Sequence, residues 1–112
     1  ATILDAVKPG MAAYSEELFG PVASIIRADS MEDAIHIAND TDFGLGASVW
    51  TGDKAQGEAV ARRIQAGAVF VNALVRSDVR LPFGGTKTSG FGRELAEHGI
   101  HEFMNIKTVY VA

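Results

Sequence analysis

The sequence predicts an α/β fold: a βαβαβ layer with a mostly parallel sheet, which runs into a Gly-rich loop and ends in a C-terminal strand and tail. Three observations predict it. The runs VASIIR (residues 22–27) and AVFV (residues 68–71) are rich in β-branched and apolar residues, as strands covered on both faces of a parallel sheet are. Two helical segments open on capping residues, Ser30 and Asp53, and fall between strand candidates. The resulting order, strand, helix, strand, helix, strand, is that of crossover units stacked in layers.

Each element has its own local reason. Residues 2–7 form a short strand candidate stopped by Pro9 and Gly10, and residues 11–18 hold a helical turn closed by Gly20 and Pro21. Ser30 is the expected N-cap of the next helix, with Glu32 and Asp33 in its first turn, where carboxylates meet the positive end of the dipole. Ala34, Ile35, Ile37 and Ala38 supply its apolar face, and it is expected to end within residues 39–42. Residues 47–50 form the second strand of the layer. Gly52 and Asp53 cap a helix over residues 54–66, with Gly67 at the place of a C-terminal cap glycine. After the strand at 68–71 come an irregular region over 73–92, a helix within 93–104 and a last strand over 107–111, expected to pair with something outside this unit.

At 112 residues the chain is about one small domain. A net charge of −4, with ten basic residues scattered and unclustered, argues against nucleic acid and against an anionic membrane surface as partners. No apolar run approaches the ~18 residues of a membrane span. Zero cysteine excludes disulfide scaffolds and thiolate zinc sites, and fits a cytoplasmic setting.

Several chemistries find no support in the motifs. A phosphate-cradling loop needs glycine directly before Lys-Ser/Thr, where this chain has Thr86, and the Gly90-Phe91-Gly92 pair lacks a third glycine because Leu95 stands there. Gly84, Gly85, Gly90 and Gly92 read instead as backbone geometry, with Arg93 and Glu94 bracing the following helix. His98 and His101 share a helical spacing, but no third residue completes a metal set. There is no Gly-x-Ser-x-Gly elbow, and nothing marks Lys87 or Lys107 as desolvated.

Four stretches carry a resemblance. They are Glu16-Glu17-Leu18-Phe19-Gly20-Pro21-Val22, the run from Asn39 to Trp50 and Thr51 (NDTDFGLGASVWT), QAGAVFVN (residues 65–72) followed by PFGGTKTSGFGRE (82–94), and FMNIKTVYV (103–111). In this order and spacing they resemble the aldehyde dehydrogenase superfamily over essentially the whole chain. The loop from Val71 to Phe83 and the run from His101 to Lys107 are most similar to bacterial succinate-semialdehyde dehydrogenases.

The resemblance implies an α/β fold that is part of a catalytic domain, with residues 1–106 its C-terminal part and residues 107–112 the start of an oligomerisation strand. It implies a reaction in which a cysteine thiolate attacks an aldehyde, hydride passes to NAD or NADP, and a glutamate-activated water releases the acid. No catalytic residue lies in this chain; the cysteine, the glutamate and the dinucleotide-binding domain are expected upstream of Ala1, so the chain alone is expected to be inactive. By composition Glu17 reads as a solvated loop carboxylate and Phe19 as a core aromatic; the resemblance makes them the pair that holds the nicotinamide ribose. It also makes Phe83 a wall of the aldehyde tunnel and sets Ser77 against the distal carboxylate of the substrate. Arg76 and Arg80 flank Ser77, either as a carboxylate fork or as a solvated surface paired with Asp78. The partners implied are a small aldehyde and further copies of the parent, as a homodimer or homotetramer. The other readings are a general aliphatic aldehyde dehydrogenase, and a non-catalytic oligomerisation or NAD-sensing module.

Overall fold

The structure, a computed structural model, describes residues 1–112 as two compact units, Ala1–Asp42 and Phe43–Ala112. In the first, strand β1 (Thr2–Leu4) pairs in parallel with β2 (Val22–Ser24), Thr2 facing Val22 and Leu4 facing Ser24. The crossover between them carries α1 (Ala12–Ser15), tied to β2 by the Ser24 hydroxyl, which donates to the Ala13 carbonyl at 3.0 Å. The strand predicted over 2–7 stops early because the Asp5 carboxylate takes the Ala6 N–H (2.8 Å) and Ala6 turns to φ +56°. Helix α2 (Met31–Asn39) begins as expected. The Ser30 hydroxyl accepts from the Asp33 N–H at 3.1 Å, satisfying a donor that a helix start leaves orphaned, and the Asp33 carboxylate reaches back to the Asp29 N–H just before the cap at 3.0 Å. Of its predicted apolar face only Ile35 is buried and Ile37 half-buried; Ala34 and Ala38 face solvent.

The second unit is built on one parallel βαβ crossover. Strand β3 (Phe43–Gly44) is followed by β4 (Gly46–Val49), α3 (Lys54–Ala61) and β5 (Ala68–Val71), and β4 pairs with β5 from Gly46 opposite Ala68 to Val49 opposite Val71. The Asp53 carboxylate caps α3 by accepting from the N–H groups of Ala55 and Gln56. Strand β6 (Thr86–Lys87) pairs antiparallel with β3, and α4 (Ala96–His101) follows.

Five local expectations change. The parallel strands fall into separate two-stranded sheets, β1–β2 and β4–β5, and a short antiparallel pair lies inside the region expected to be irregular. Helix α3 stops at Ala61 because its end tightens into i→i−3 bonds, Arg63 to Val60 and Ile64 to Ala61. Gly67 therefore caps no helix; it lies where a Cβ would run into the Gly84 carbonyl, so glycine is needed there for close backbone approach. Residues 107–111 form no strand, since a strand exists only with a ladder partner and this tail has none in the chain.

The apolar interior is small. Val7 and Ile35 are the only buried hydrophobic side chains, while Phe91, Phe103, Ile106, Tyr110 and Val111 stand largely in solvent. The chain exposes 8670 Å², against about 6,000 Å² for a folded monomer of its mass. No helix is long and apolar enough to cross a membrane.

Candidate functional site

Glu17 and Phe19 lie in the first unit, on the loop that leads into β2. The loop's exit is fixed by backbone alone: the Val22 N–H donates to the Gly20 carbonyl at 2.7 Å, closing a three-residue turn around Pro21, and the Thr2 N–H donates to the Pro21 carbonyl at 2.8 Å. Upstream of that anchor the chain is turned outward. Phe19 has φ +45°, a left-handed conformation that a bulky side chain adopts only under constraint, and the residue is 91% exposed. The Glu17 side chain is exposed and has no hydrogen-bond partner. Phe19 is thus no core residue. An unpartnered carboxylate two residues from an outward-held aromatic fits a sugar diol beside a flat heteroaromatic ring.

Phe83 and Ser77 lie in the second unit. Phe83 is half-buried and locked by a two-way backbone bridge to Glu94, N–H to carbonyl at 2.8 Å in each direction. Arg93 holds the glycine loop around it: its guanidinium donates to the carbonyls of Gly85 (2.9 Å) and Gly92 (2.6 Å), so it braces the loop rather than the helix expected to follow. The Ser89 hydroxyl adds a tie by accepting from the Gly44 N–H at 2.9 Å.

Phe83 borders a cavity of about 420 Å³ along β5, walled by Val69, Val71, Leu81 and Pro82 and edged by Arg76 and Asp78. Ser77, between those last two, is exposed and is not among the lining residues. Arg80 is occupied elsewhere. Its guanidinium forks onto both oxygens of Asp78, at 2.9 and 2.7 Å, and its own N–H binds the same carboxylate at 2.9 Å. These bonds, aided by the charge of Arg76, lower the Asp78 carboxyl from 3.8 to about 2.

One residue without a predicted role organises this end of the sheet. Asn72 sits at φ +54° directly after β5, and its amide brackets the Thr51 backbone, accepting the N–H at 2.8 Å and donating to the carbonyl at 2.9 Å. An asparagine closing an apolar strand run is the one sequence signal of it, since Asn tolerates the left-handed region. Elsewhere, no three His, Asp or Glu side chains converge as a metal would require. In the first unit the Tyr14 hydroxyl donates to Asp40 at 2.6 Å, and that bond raises the Tyr14 pKa.

Comparison with known proteins places this geometry. The profile described as "Aldehyde dehydrogenase family" matches residues 1–109. The chain is 51% identical over 112 residues to a protein of Paenarthrobacter nicotinovorans named "Aldehyde dehydrogenase", covering all of this chain and 24% of that one. It is 52% identical over 111 residues to a Synechocystis protein named "Probable succinate-semialdehyde dehydrogenase [NADP(+)]", covering 99% and 24%. Among solved structures, succinic semialdehyde dehydrogenase from Streptococcus pyogenes in complex with NADP+ superposes with a TM-score of 0.92 at 39% identity, over 97% of this chain and 24% of that chain. The chain thus spans about a quarter of the length of these relatives. With its α/β units and the ordered motifs from the Glu17 loop to the Phe83 loop, the chain belongs to the aldehyde dehydrogenase family.

Proposed function

We propose that these residues form part of an NAD(P)-dependent enzyme that oxidises succinate semialdehyde to the dicarboxylic acid. Glu17 and Phe19 serve as its nicotinamide-ribose clamp, and Phe83 and Ser77 serve on the substrate side. The observation that carries the reading is the cavity beside β5, in which the wall containing Phe83 is apolar and the rim carries the Arg76 guanidinium beside an Asp78 carboxylate that is paired with Arg80. Two relatives named for this activity, at 52% and 39% identity, support the same substrate.

The division of labour follows from the side chains. Glu17, an acceptor with no internal partner, takes hydrogen bonds from ribose hydroxyls, and Phe19 offers a ring face to the nicotinamide. The bound dinucleotide supplies the hydride acceptor. Phe83 and the β5 side chains exclude water from the alkyl part of the aldehyde, and Ser77 donates to its distal carboxylate. The chain has no cysteine, so the carbonyl-attacking thiolate comes from outside these 112 residues and the chain alone is inactive. The exposed apolar tail over 107–112 begins an oligomerisation strand in a homodimer or homotetramer, where a neighbouring strand supplies the ladder it lacks.

A second reading, a general aliphatic aldehyde dehydrogenase, draws on Ser77 standing off the cavity lining. The test is NADH or NADPH formation by the intact enzyme with succinate semialdehyde and with butanal, an uncharged aldehyde of equal carbon count. A strong preference for the acid aldehyde, weakened in Ser77→Ala, is the expected result; equal turnover of both supports the second reading.

A further inference from the structure

The loop that carries Glu17 and Phe19 is anchored at its two ends and not between them. Its exit is the turn around Pro21, and its entry is α1, a helix of four residues, well below the ~12 at which an isolated helix begins to hold in water. Side chains of two other elements hold α1 in place. The Ser24 hydroxyl of β2 donates to the Ala13 carbonyl, and the half-buried Tyr14 donates its hydroxyl to the Asp40 carboxylate at 2.6 Å, a short bond of the charge-assisted kind. Asp40 is the C-cap of α2, with its backbone N–H on the His36 and Ile37 carbonyls, so the acceptor stands on a helix already fixed by the Ser30 cap and the buried Ile35. A carboxylate at that end of a helix meets the negative pole of the dipole, which is unfavourable, and the Tyr14 hydroxyl is the donor that offsets it. Glu17 lies two residues beyond α1, and neither Glu17 nor Phe19 makes a hydrogen bond of its own. Nothing but the stance of α1 and the turn at Pro21 aims them.

We propose that Tyr14 is a positioning residue for the dinucleotide: its bond to Asp40 sets the stance of α1, and so the place at which Glu17 and Phe19 meet the nicotinamide ribose. This rests on the ribose-clamp reading above and adds the part of the chain that aims the clamp. Hydrogen bonds to a ribose diol depend steeply on distance and angle, and a carboxylate displaced by about 1 Å no longer makes them well. With the bond to Asp40 broken, α1 samples orientations in which the clamp misses the ribose. The apparent dissociation constant for the dinucleotide then rises by the inverse of the fraction that remains competent.

The experiment uses the intact enzyme. Dissociation constants for NAD(P)+ and for ADP, which carries the adenine half and no nicotinamide ribose, are measured together with KM for succinate semialdehyde. The variants are Tyr14→Phe, which removes only the hydroxyl, Asp40→Ala, Asp40→Asn and the double variant Tyr14→Phe/Asp40→Ala, with Glu17→Ala and Phe19→Ala as the clamp itself. Tyr14→Phe is expected to raise the NAD(P)+ constant about 3- to 10-fold and to leave ADP binding and the aldehyde KM unchanged. Asp40→Ala is expected to match it, and the double variant to be no worse than either, since the two side chains make one bond. Asp40→Asn keeps an acceptor and is expected to recover part of the loss. If Glu17→Ala and Phe19→Ala weaken NAD(P)+ while Tyr14→Phe leaves it unchanged, or weakens ADP equally, the positioning role is overturned and the clamp reading stands. If neither clamp substitution weakens NAD(P)+, the clamp reading falls and the role of Tyr14 falls with it.

Discussion

Phe19 and Phe83 sit in nearly the same company, Phe-Gly-Pro in one loop and Pro-Phe-Gly in the other, and the structure treats them oppositely. Phe83 is fixed by its own chain: Glu94 holds its backbone from both sides, and Arg93 and Ser89 hold the glycines beside it. Phe19 is held only through the ends of its loop and stands almost fully exposed in a left-handed conformation. A position completed by internal hydrogen bonds suits a rigid wall. A strained, solvent-facing aromatic beside an unpartnered carboxylate suits a surface that is finished by a ligand.

The contrast breaks most visibly at the support of the Phe83 loop. Gly67→Ala forces a Cβ into the Gly84 backbone, which cannot swing aside as a side-chain tip can. It is expected to destabilise the intact enzyme by about 3 kcal/mol, read as a lower urea midpoint. An unchanged midpoint would show that the loop shifts freely and that Phe83 is not locked. At the other loop the sign reverses. Phe19→Gly relieves the positive φ, and thermal melting is expected to hold steady or gain up to about 1 kcal/mol, since glycine's added backbone freedom offsets part of the relief. A clear loss of stability would mean that Phe19 packs as structure.

The smallest effect concerns the Asp78–Arg80 pair. The folded Asp78 value, about 2, lies below its ordinary 3.8. Its contribution is therefore complete above 3.8 and lost as pH falls from there toward about 2. Arg80 is 82% exposed, though Asp78 is half-buried, so solvent screens the pair and the change is expected to be modest. Comparing the melting of wild type and Asp78→Asn across that window should show a constant gap at higher pH that closes on acidification. A gap that widens toward low pH would contradict the pairing.

What could be read beforehand was whatever one residue or one run decides locally. Ser30 and Asp53 announce their helices because a cap is satisfied within three residues, and AVFV announces β5 because its covered faces leave no polar position. What escaped depends on distant contacts. Strands β3 and β6 are two residues each and exist only because Phe43 meets Lys87 across the chain. Gly67 resembles a cap glycine until Gly84 is seen lying against it, and Arg93 resembles a helix brace until its guanidinium is seen on two glycine carbonyls. The site follows the same pattern. Glu17, Phe19, Ser77 and Phe83 were named from motif register, but only the fold separates the paired Arg80 from the unpaired Arg76.

On the proposed function the two aromatic loops divide the work, one for the dinucleotide and one for the aldehyde. The most direct measurement is KM for NAD(P)+ and KM for succinate semialdehyde in the intact enzyme, for Phe19→Ala and Phe83→Ala side by side. A crossover is expected: Phe19→Ala raises the dinucleotide KM about 3- to 10-fold with little change for the aldehyde, and Phe83→Ala does the reverse. Both substitutions moving the same KM, or Phe19→Ala moving neither, would contradict it.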